Sequence, residues 1–385
     1  MENNFTMIAK TLFGFEPILS KELLKLGAKN IKEGVRSVSF EGDLGFMYKA
    51  NLALRTAIRI LVPIKTFQIL NEEELYQGIK TIVWEDYMNL ETTFALNSTT
   101  HSENFTHSHY ISLKSKDAVA DYFRDKYGKR PDVDIEQPDL LINVHIDRDQ
   151  CNISLDCSGE ALYKRGYRTA TNIAPMNEVF AAGLILMTGY DGAEHFIDPM
   201  CGSGTMLIEA AMIANQIPAN INRATFGFQK WKNYDAELYE LIRSSLLKKI
   251  RSSSRKILGY DKAPSAVMKA TQNVENANLA DFIEIEKKDF FTTEKPFEGK
   301  TILCFNPPYG ERLKIDVPTF YKEIGNTLKQ GYPSTDAWFV TSDLEQGIKS
   351  VGLRASKKIK VFNGSLECRF VKYEMYEGSK KASKN

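Results

Sequence analysis

The chain has 385 residues, 43% of them hydrophobic and 26% charged, which is ordinary globular usage and excludes wholesale disorder. At roughly 100–200 residues per domain, that length predicts two or three domains. Lys plus Arg number 50 and Asp plus Glu 49, so the net charge of +1 announces neither a nucleic-acid nor a membrane partner, although a basic patch can hide in a neutral sum.

Five cysteines without a CxxC pair exclude a zinc ribbon and argue against a disulfide scaffold. The first ten residues lack the basic-then-apolar pattern of a signal peptide. No apolar run approaches the ~18 residues of a membrane span. A cytoplasmic protein with no membrane partner is expected.

Residues 6–10 read as a short strand. Residues 16–26 place Ile18, Leu19, Leu23, Leu24 and Leu26 on one apolar helical face, with Gly27 where a helix ends. A half-buried strand at 35–40, a helix at 44–57 and an apolar strand at 59–64 complete a small α+β unit, residues 1–64. A second unit spans 65–158. Ala118, Val119, Tyr122 and Phe123 predict a helix over 116–127, capped by Ser115 and stopped by Gly128. Runs at 141–146 and 151–157 flank a polar turn, as in a hairpin. Cys151 and Cys157 share its apolar face and read as core. His101, His107 and His109 lack carboxylate or thiolate partners at metal-site offsets, so no metal is expected.

Near residue 161 the pattern becomes strand–helix alternation, the mark of a doubly wound parallel sheet. Strands are expected at 195–198, 256–261, 282–288, 301–305 and 337–341. Helices are expected at 205–216 and 264–278. Asn363-Gly364 between two β-rich runs predicts a terminal antiparallel hairpin. Residues 378–385 read as a solvated tail. An insert over 218–254 mixes Phe226, Phe228, Trp231 and Tyr234 with Arg223, Lys230 and Lys232, and six basic residues without an acid follow over 243–256. That mixture suits single-stranded nucleic acid, through phosphate pairing and base stacking, or else an exposed face whose aromatics dock on the core.

Four motifs carry chemistry. In FIDPMCGSGTMLIEA (196–210) a strand ends at Asp198, a loop with Gly202 and Gly204 turns, and a helix begins. Glycines let a ligand approach the backbone, and the helix start offers free N–H groups. Leu207 stands where a dinucleotide fingerprint wants Gly or Ala, and no P-loop lysine is present. Asp261 and Asp289 follow the next two strands, where carboxylates can accept from ribose hydroxyls and an adenine amine. Asn306-Pro307-Pro308-Tyr309-Gly310 ends an apolar strand. Two prolines make that turn rigid and acceptor-rich. The Asn306 amide oxygen and the Pro307 carbonyl can both accept from one exocyclic amine, with Tyr309 stacked on its base.

DPMCGSGT with NPPYG resembles the class I S-adenosylmethionine (SAM)-dependent methyltransferases of exocyclic base amines. LYKRGYRTATNIAPMNE (162–178) and INRATFGFQKW narrow the resemblance to the bacterial THUMP-containing 23S rRNA guanine-N2 methyltransferases, like the N-terminal half of RlmL. It covers nearly the whole chain. The fold it implies is a class I methyltransferase domain at 162–377, α/β and Rossmann-like, preceded by α+β ferredoxin-like and THUMP RNA-binding domains. By position, Asp198, Met200, Cys201, Gly202 and Gly204, with Ala174 and Pro175, would hold the methionine end of SAM. Asp261 would bind the ribose and Asp289 the adenine. Asn306, beside the cofactor, would present the target amine with Pro307, Pro308 and Tyr309. The implied partner is RNA, 23S rRNA or a ribosomal assembly particle, with no protein partner. Adenine N6 on RNA or DNA is the rival target, and a non-catalytic RNA-binding factor the rival class. Chemistry is expected in residues 161–385 standing alone, and RNA placement in the first 160.

Overall fold

The computed structural model describes residues 4–169, 176–308 and 316–377. They build two seven-stranded sheets. The first contains β1 (Phe5–Lys10), β2 (Lys29–Gly34), β3 (Ser37–Gly42), β4 (Arg59–Gln68), β5 (Phe94–His101), β6 (Leu140–Asp147) and β7 (Gln150–Asp156), in the order β2-β3-β1-β4-β7-β6-β5. Helices α1 (Glu16–Leu26), α2 (Leu44–Ala53), α3 (Glu72–Lys80) and α4 (Ser108–Tyr127) pack with it. Sequence patterning divides this region near residue 64. In the structure β4 runs across that point, pairing with β1 at Ile8–Leu61 and with β7 from Leu61–Asp156 to Gln68–Gln150. One sheet therefore carries two cores, one around Met7, Leu19, Phe40 and Tyr48, the other around Trp84, Phe94, Phe123 and Ile153.

Helix α4 begins at Ser108, eight residues before the expected 116. His107 is its cap residue, and Ser115 is buried inside the helix. The early turns are polar and show no apolar period. Tertiary bonds hold them instead, from the Tyr110 hydroxyl to Glu72 (2.9 Å) and between the Ser98 and Ser112 hydroxyls (2.7 Å). Of the clustered histidines, His101 ends β5 and His109 lies on α4.

The second sheet follows α5 (Glu178–Thr188). It comprises β8 (His195–Asp198), β9 (Ile257–Asp261), β10 (Ile283–Lys287), β11 (Thr301–Phe305), β12 (Thr335–Thr341), β13 (Lys357–Asn363) and β14 (Leu366–Met375), in the order β10-β9-β8-β11-β12-β14-β13. The connecting helices are α6 (Thr205–Ala214), α7 (Ala236–Leu247), α8 (Pro264–Asn276), α9 (Val317–Gly331) and α10 (Gln346–Ser350). The first five strands in this sheet are parallel. The expected hairpin forms at Asn363-Gly364, and β14 slots antiparallel between β12 and β13.

Period-2 alternation decides which face each strand residue serves. Phe196, Ile257, Ile302, Cys304, Trp338 and Val340 join the core beneath α5, α6 and α8. Ile197, Leu258, Leu303, Phe305 and Phe339 join the opposite core beneath α9. All five cysteines are buried, and none is in a disulfide.

The two sheets are not loosely tethered. Phe15, at the start of α1, sits in the second sheet's core, stacked on Phe180 with ring centroids 5.9 Å apart. A Cβ at Gly183 would lie 1.9 Å from its ring. Arg55 donates to the carbonyls of Met212 (3.0 Å) and Ile217 (2.5 Å). Arg165, 1% exposed, donates to Glu209 (3.3 Å), to the Asn220 side chain (3.1 Å) and to the Arg55 carbonyl (2.6 Å).

The insert also docks rather than standing free. Phe226, Phe228 and Tyr239 are buried with Tyr48 in the first sheet's core. Trp231 packs against both of that sheet's cores. Arg223 donates to the carbonyls of Glu160, Ala161 and Lys164. Lys230 donates to the Gln137 and Pro138 carbonyls, and Lys232 to those of Glu85 and Met88. Of the two readings the insert allowed, docking prevails for these residues. Burying aromatic rings gains more than leaving them in water to await a base.

Candidate active site

Asp198, Asp261, Asp289 and Asn306 stand at or just beyond the carboxyl ends of β8, β9, β10 and β11, which are neighbours in the order β10-β9-β8-β11. The strand sequence reverses direction between β8 and β11, and ligands of doubly wound sheets bind at that crevice. Four motifs spread over more than a hundred residues thus meet on one edge.

The glycine loop is fixed from within and without. Asp198 accepts from the Met200 N–H at 3.1 Å. The Cys201 N–H donates to the Tyr260 carbonyl, and the Gly204 N–H to the Cys201 carbonyl, both at 2.8 Å. Gly202 and Gly204 take φ of +55° and +81°, the left-handed region that disfavours side chains. A Cβ on Gly204 would also sit 3.2 Å from the Ala270 Cβ. Asp261 accepts from the N–H groups of Gly202 (3.0 Å) and Ala263 (2.9 Å), one on each oxygen. A carboxylate has about four lone-pair sites, so both oxygens keep acceptor capacity. Asp289 accepts from the Phe291 N–H at 3.1 Å and caps a short 3₁₀ turn.

Cys201 is buried, and burial beside Asp198 and Asp261 pushes its thiol well up, so it stays protonated and is no nucleophile. Asp198 is 2% exposed. Burial, with a smaller push from the Asp261 charge, raises its carboxyl to about 8, against the Met200 N–H that lowers it. A carboxyl raised on folding gives stability at low pH that is lost as pH climbs from the unfolded value toward the folded one. The ligand-free protein should therefore lose stability between pH 6 and 8, at no more than ~1.4 kcal/mol per pH unit. Asp198→Asn keeps the shape and removes the titration. Melting curves of both proteins over that range check this. Parallel pH dependences would show that Asp198 is ionised throughout.

Asn306 is half-buried and Pro307 buried. The Asn306 side-chain oxygen is buried and accepts no hydrogen bond among the described residues. A lone buried acceptor is costly unless a ligand donates to it. The glycine cradle, the spare acceptors of Asp261 and this oxygen fit a cofactor and an amine donor. Tyr309, Ala174 and Pro175 lie outside the described residues. No group of three or more metal-ligating side chains occurs among the described residues, and no helix there is long and apolar enough to cross a membrane.

Sequence reading missed one cluster. Arg168 donates to Glu178 (2.8 Å), to the Met176 carbonyl (3.0 Å) and to the Thr205 hydroxyl (2.9 Å) at the start of α6. A signal existed. Glu178 opens a helix, EVFAAGLILMT, that is apolar on all sides and hence buried. An acid in its first turn needs a cation.

Comparison with known proteins agrees with this geometry. An RMKL-like methyltransferase domain matches residues 165–372, a THUMP domain 70–156 and an RlmL ferredoxin-like domain 6–61. A candidate RNA methyltransferase of Synechocystis is 37% identical over 94% of this chain and 95% of its own. The ribosomal RNA large subunit methyltransferase K/L of Syntrophotalea carbinolica is 35% identical over 94% of this chain, which spans 53% of that longer protein. A crystal structure of a candidate methyltransferase complexed with S-adenosylhomocysteine (SAH) superposes with a TM-score of 0.88 at 29% identity, covering 98% of this chain and 100% of the other. The cofactor is S-adenosylmethionine, and the chain belongs to the RMKL-like methyltransferase family, with a ferredoxin-like and a THUMP domain ahead of its class I methyltransferase fold.

Proposed function

We propose that the protein methylates an exocyclic base amine of ribosomal RNA, guanine N2 of 23S rRNA. The observation that carries the reading is the Asn306 acceptor at the crevice between β8 and β11, buried and without a partner among the described residues. In this reading the loop from Asp198 through Met200, Cys201 and Gly202 to Gly204 cradles the methionine end of the cofactor, with Ala174 and Pro175 closing over it. Asp261 takes the ribose hydroxyls and Asp289 the adenine amine. SAM supplies an electrophilic methyl group on a sulfonium. The target NH₂ is a weak nucleophile because its lone pair is spread into the ring. Acceptors at Asn306 and Pro307 favour the pyramidal amine, while Pro308 stiffens the turn and Tyr309 stacks on the base. With the cofactor bound, the amine lone pair would take the methyl group, the C–S electron pair would remain with the departing thioether, and the amine proton would pass to water. No strong base is needed, because the charge that develops on nitrogen is met by fixed dipoles.

The ferredoxin-like and THUMP half then holds the RNA, acting in the cytoplasm. The K/L relative's ribosomal RNA substrate and the THUMP domain favour RNA over DNA, and the choice of guanine over adenine rests on the resemblance of residues 162–178 and of the insert to the guanine-N2 family. Transfer of tritiated methyl groups from SAM to protein-free 23S rRNA and to assembly particles, followed by nucleoside separation, tests the reading. Label in N2-methylguanosine supports it. Label in N6-methyladenosine, or none on either substrate, contradicts it.

A positive patch joins the two halves. Lys248 and Lys249 are exposed after α7, and Lys249 lies close enough to Lys49 on α2 to help push its ammonium down, after burial. Arg251 is different, since it donates to the Ala214 and Asp191 carbonyls and is structural. If Lys248 and Lys249 touch phosphate, converting both to Gln should shrink the log–log salt slope of RNA binding by up to ~0.7 per contact. An unchanged slope would leave them as solvated surface.

A further inference from the structure

Arg168 carries a donor that no group of the described residues uses. Its guanidinium has five N–H bonds in a fixed plane. Nε meets Glu178, and Nη2 meets both the Met176 carbonyl and the Thr205 hydroxyl. Nη1 is buried and unpartnered among the described residues. The side chain is 14% exposed and that of Glu178 6%. A cationic N–H shut away from water without an acceptor is rarely left so in a folded protein.

Its position says what acceptor is missing. Nη1 shares a carbon with Nη2, so it lies beside Thr205. Thr205 follows Gly204 and opens α6, whose first N–H groups have no partners within the helix. The strand of chain leading to Arg168 is pinned to the same place. The Thr169 N–H donates to the Asn273 side chain (3.3 Å), Asn273 donates to the Ser203 carbonyl in the glycine loop (3.0 Å), and Asn276 donates to the Tyr167 carbonyl (3.2 Å).

The cofactor is a cation at sulfur and at its amino group, and its only anion is the methionyl carboxylate. An arginine N–H beside a helix N-terminus is a carboxylate site by charge and by geometry. We infer that Arg168 Nη1 binds the methionyl carboxylate of SAM, making Arg168 at once a cofactor ligand and the tie between the Met176–Glu178 segment and the glycine helix. The inference rests on the cofactor assignment. It extends the motif-based reading, which placed Asp198, Met200, Cys201, Gly202 and Gly204, with Ala174 and Pro175, at that end and gave the carboxylate no cationic partner.

Two ligands separate this role from mere bracing. SAH carries the carboxylate. 5′-Methylthioadenosine shares the adenosine and thioether and lacks the amino-acid part. Calorimetry on the full chain should show Arg168→Gln weakening SAH by about 10- to 100-fold, the range for a hydrogen bond to a charged group. Affinity for methylthioadenosine should stay within about twofold. Arg168→Lys keeps a charge on a shorter reach and should fall between parent and Gln for SAH alone. It serves as the readout if Arg168→Gln does not fold. Equal losses for both ligands in the folded variants would make Arg168 a brace only. Unchanged SAH affinity would overturn the inference and leave Nη1 for an RNA phosphate. Failure of the parent protein to bind either ligand would instead strike the cofactor assignment.

Discussion

Asn306→Ala should abolish methyl transfer while leaving SAH affinity within a few-fold of the parent. The two effects separate because of where the residue sits. The glycine loop, Asp261 and Asp289 are held by their own hydrogen bonds on β8, β9 and β10, and none of those bonds passes through Asn306. Its side-chain oxygen is instead a buried acceptor without a partner among the described residues. Removing one preorganised dipole that stabilises developing charge typically lowers the rate by ~10²–10³. Truncation to Ala also removes an unsatisfied polar atom, so the fold should not suffer. Single-turnover transfer with saturating enzyme measures the chemical step, and calorimetry with SAH measures the cofactor site. A variant with near-parental single-turnover rates would remove Asn306 from the chemistry. A variant that loses SAH and transfer in proportion would place it in the cofactor site alone.

Residues 161–385 expressed alone should fail to give a cooperatively folded domain. The sequence suggests the opposite, since every cofactor motif lies in that part. The structure argues against that expectation with one side chain above all. Phe15 lies in the core of the second sheet, against Phe180 and over Gly183. Cutting it away leaves a ring-sized hole and exposes α5, which has little polar surface to offer. The cut also takes the Arg55 carbonyl from Arg165, whose buried guanidinium then keeps only Glu209, the Leu162 carbonyl and the Asn220 side chain. It uncovers Phe226 and Phe228 as well. In the full chain, Phe15→Ala alone should lower stability by ~3–5 kcal/mol, the usual loss for a buried phenylalanine. Denaturant titration measures the point variant, and calorimetric melting measures the fragment. A fragment with a sharp melt and parental SAH affinity would show that the first half is a detachable module.

The motifs were legible because they are punctuation. Glycines in left-handed turns, paired prolines and aspartates at strand ends are visible without knowing what they touch. The doubly wound sheet was legible because β11, TILCF, and its neighbours are apolar runs between helical patterns. What stayed hidden depends on long-range pairing. Nothing local in Arg59–Gln68 says that β4 joins two cores into one sheet, or that β14 slips between β12 and β13. The start of α4 was missed because polar turns held by tertiary bonds lack a period to read. The insert's aromatics were ambiguous because a ring waiting for a base and a ring filling a core look alike in sequence. Arg168 was missed because its partners, Glu178 and Thr205, are 10 and 37 residues away.

The central claim is that this chain is the enzyme that places a methyl group on guanine N2 of 23S rRNA. Nucleoside mass spectrometry of rRNA from cells with the intact coding sequence, with it deleted, and with the Asn306→Ala variant restored tests it most directly. The account predicts that N2-methylguanosine in 23S rRNA falls on deletion, that the parent sequence restores it, and that Asn306→Ala does not. Unchanged N2-methylguanosine with a fall in N6-methyladenosine would give the crevice to the other amine. No change in any methylated nucleoside would contradict the assignment of this crevice to rRNA methylation altogether.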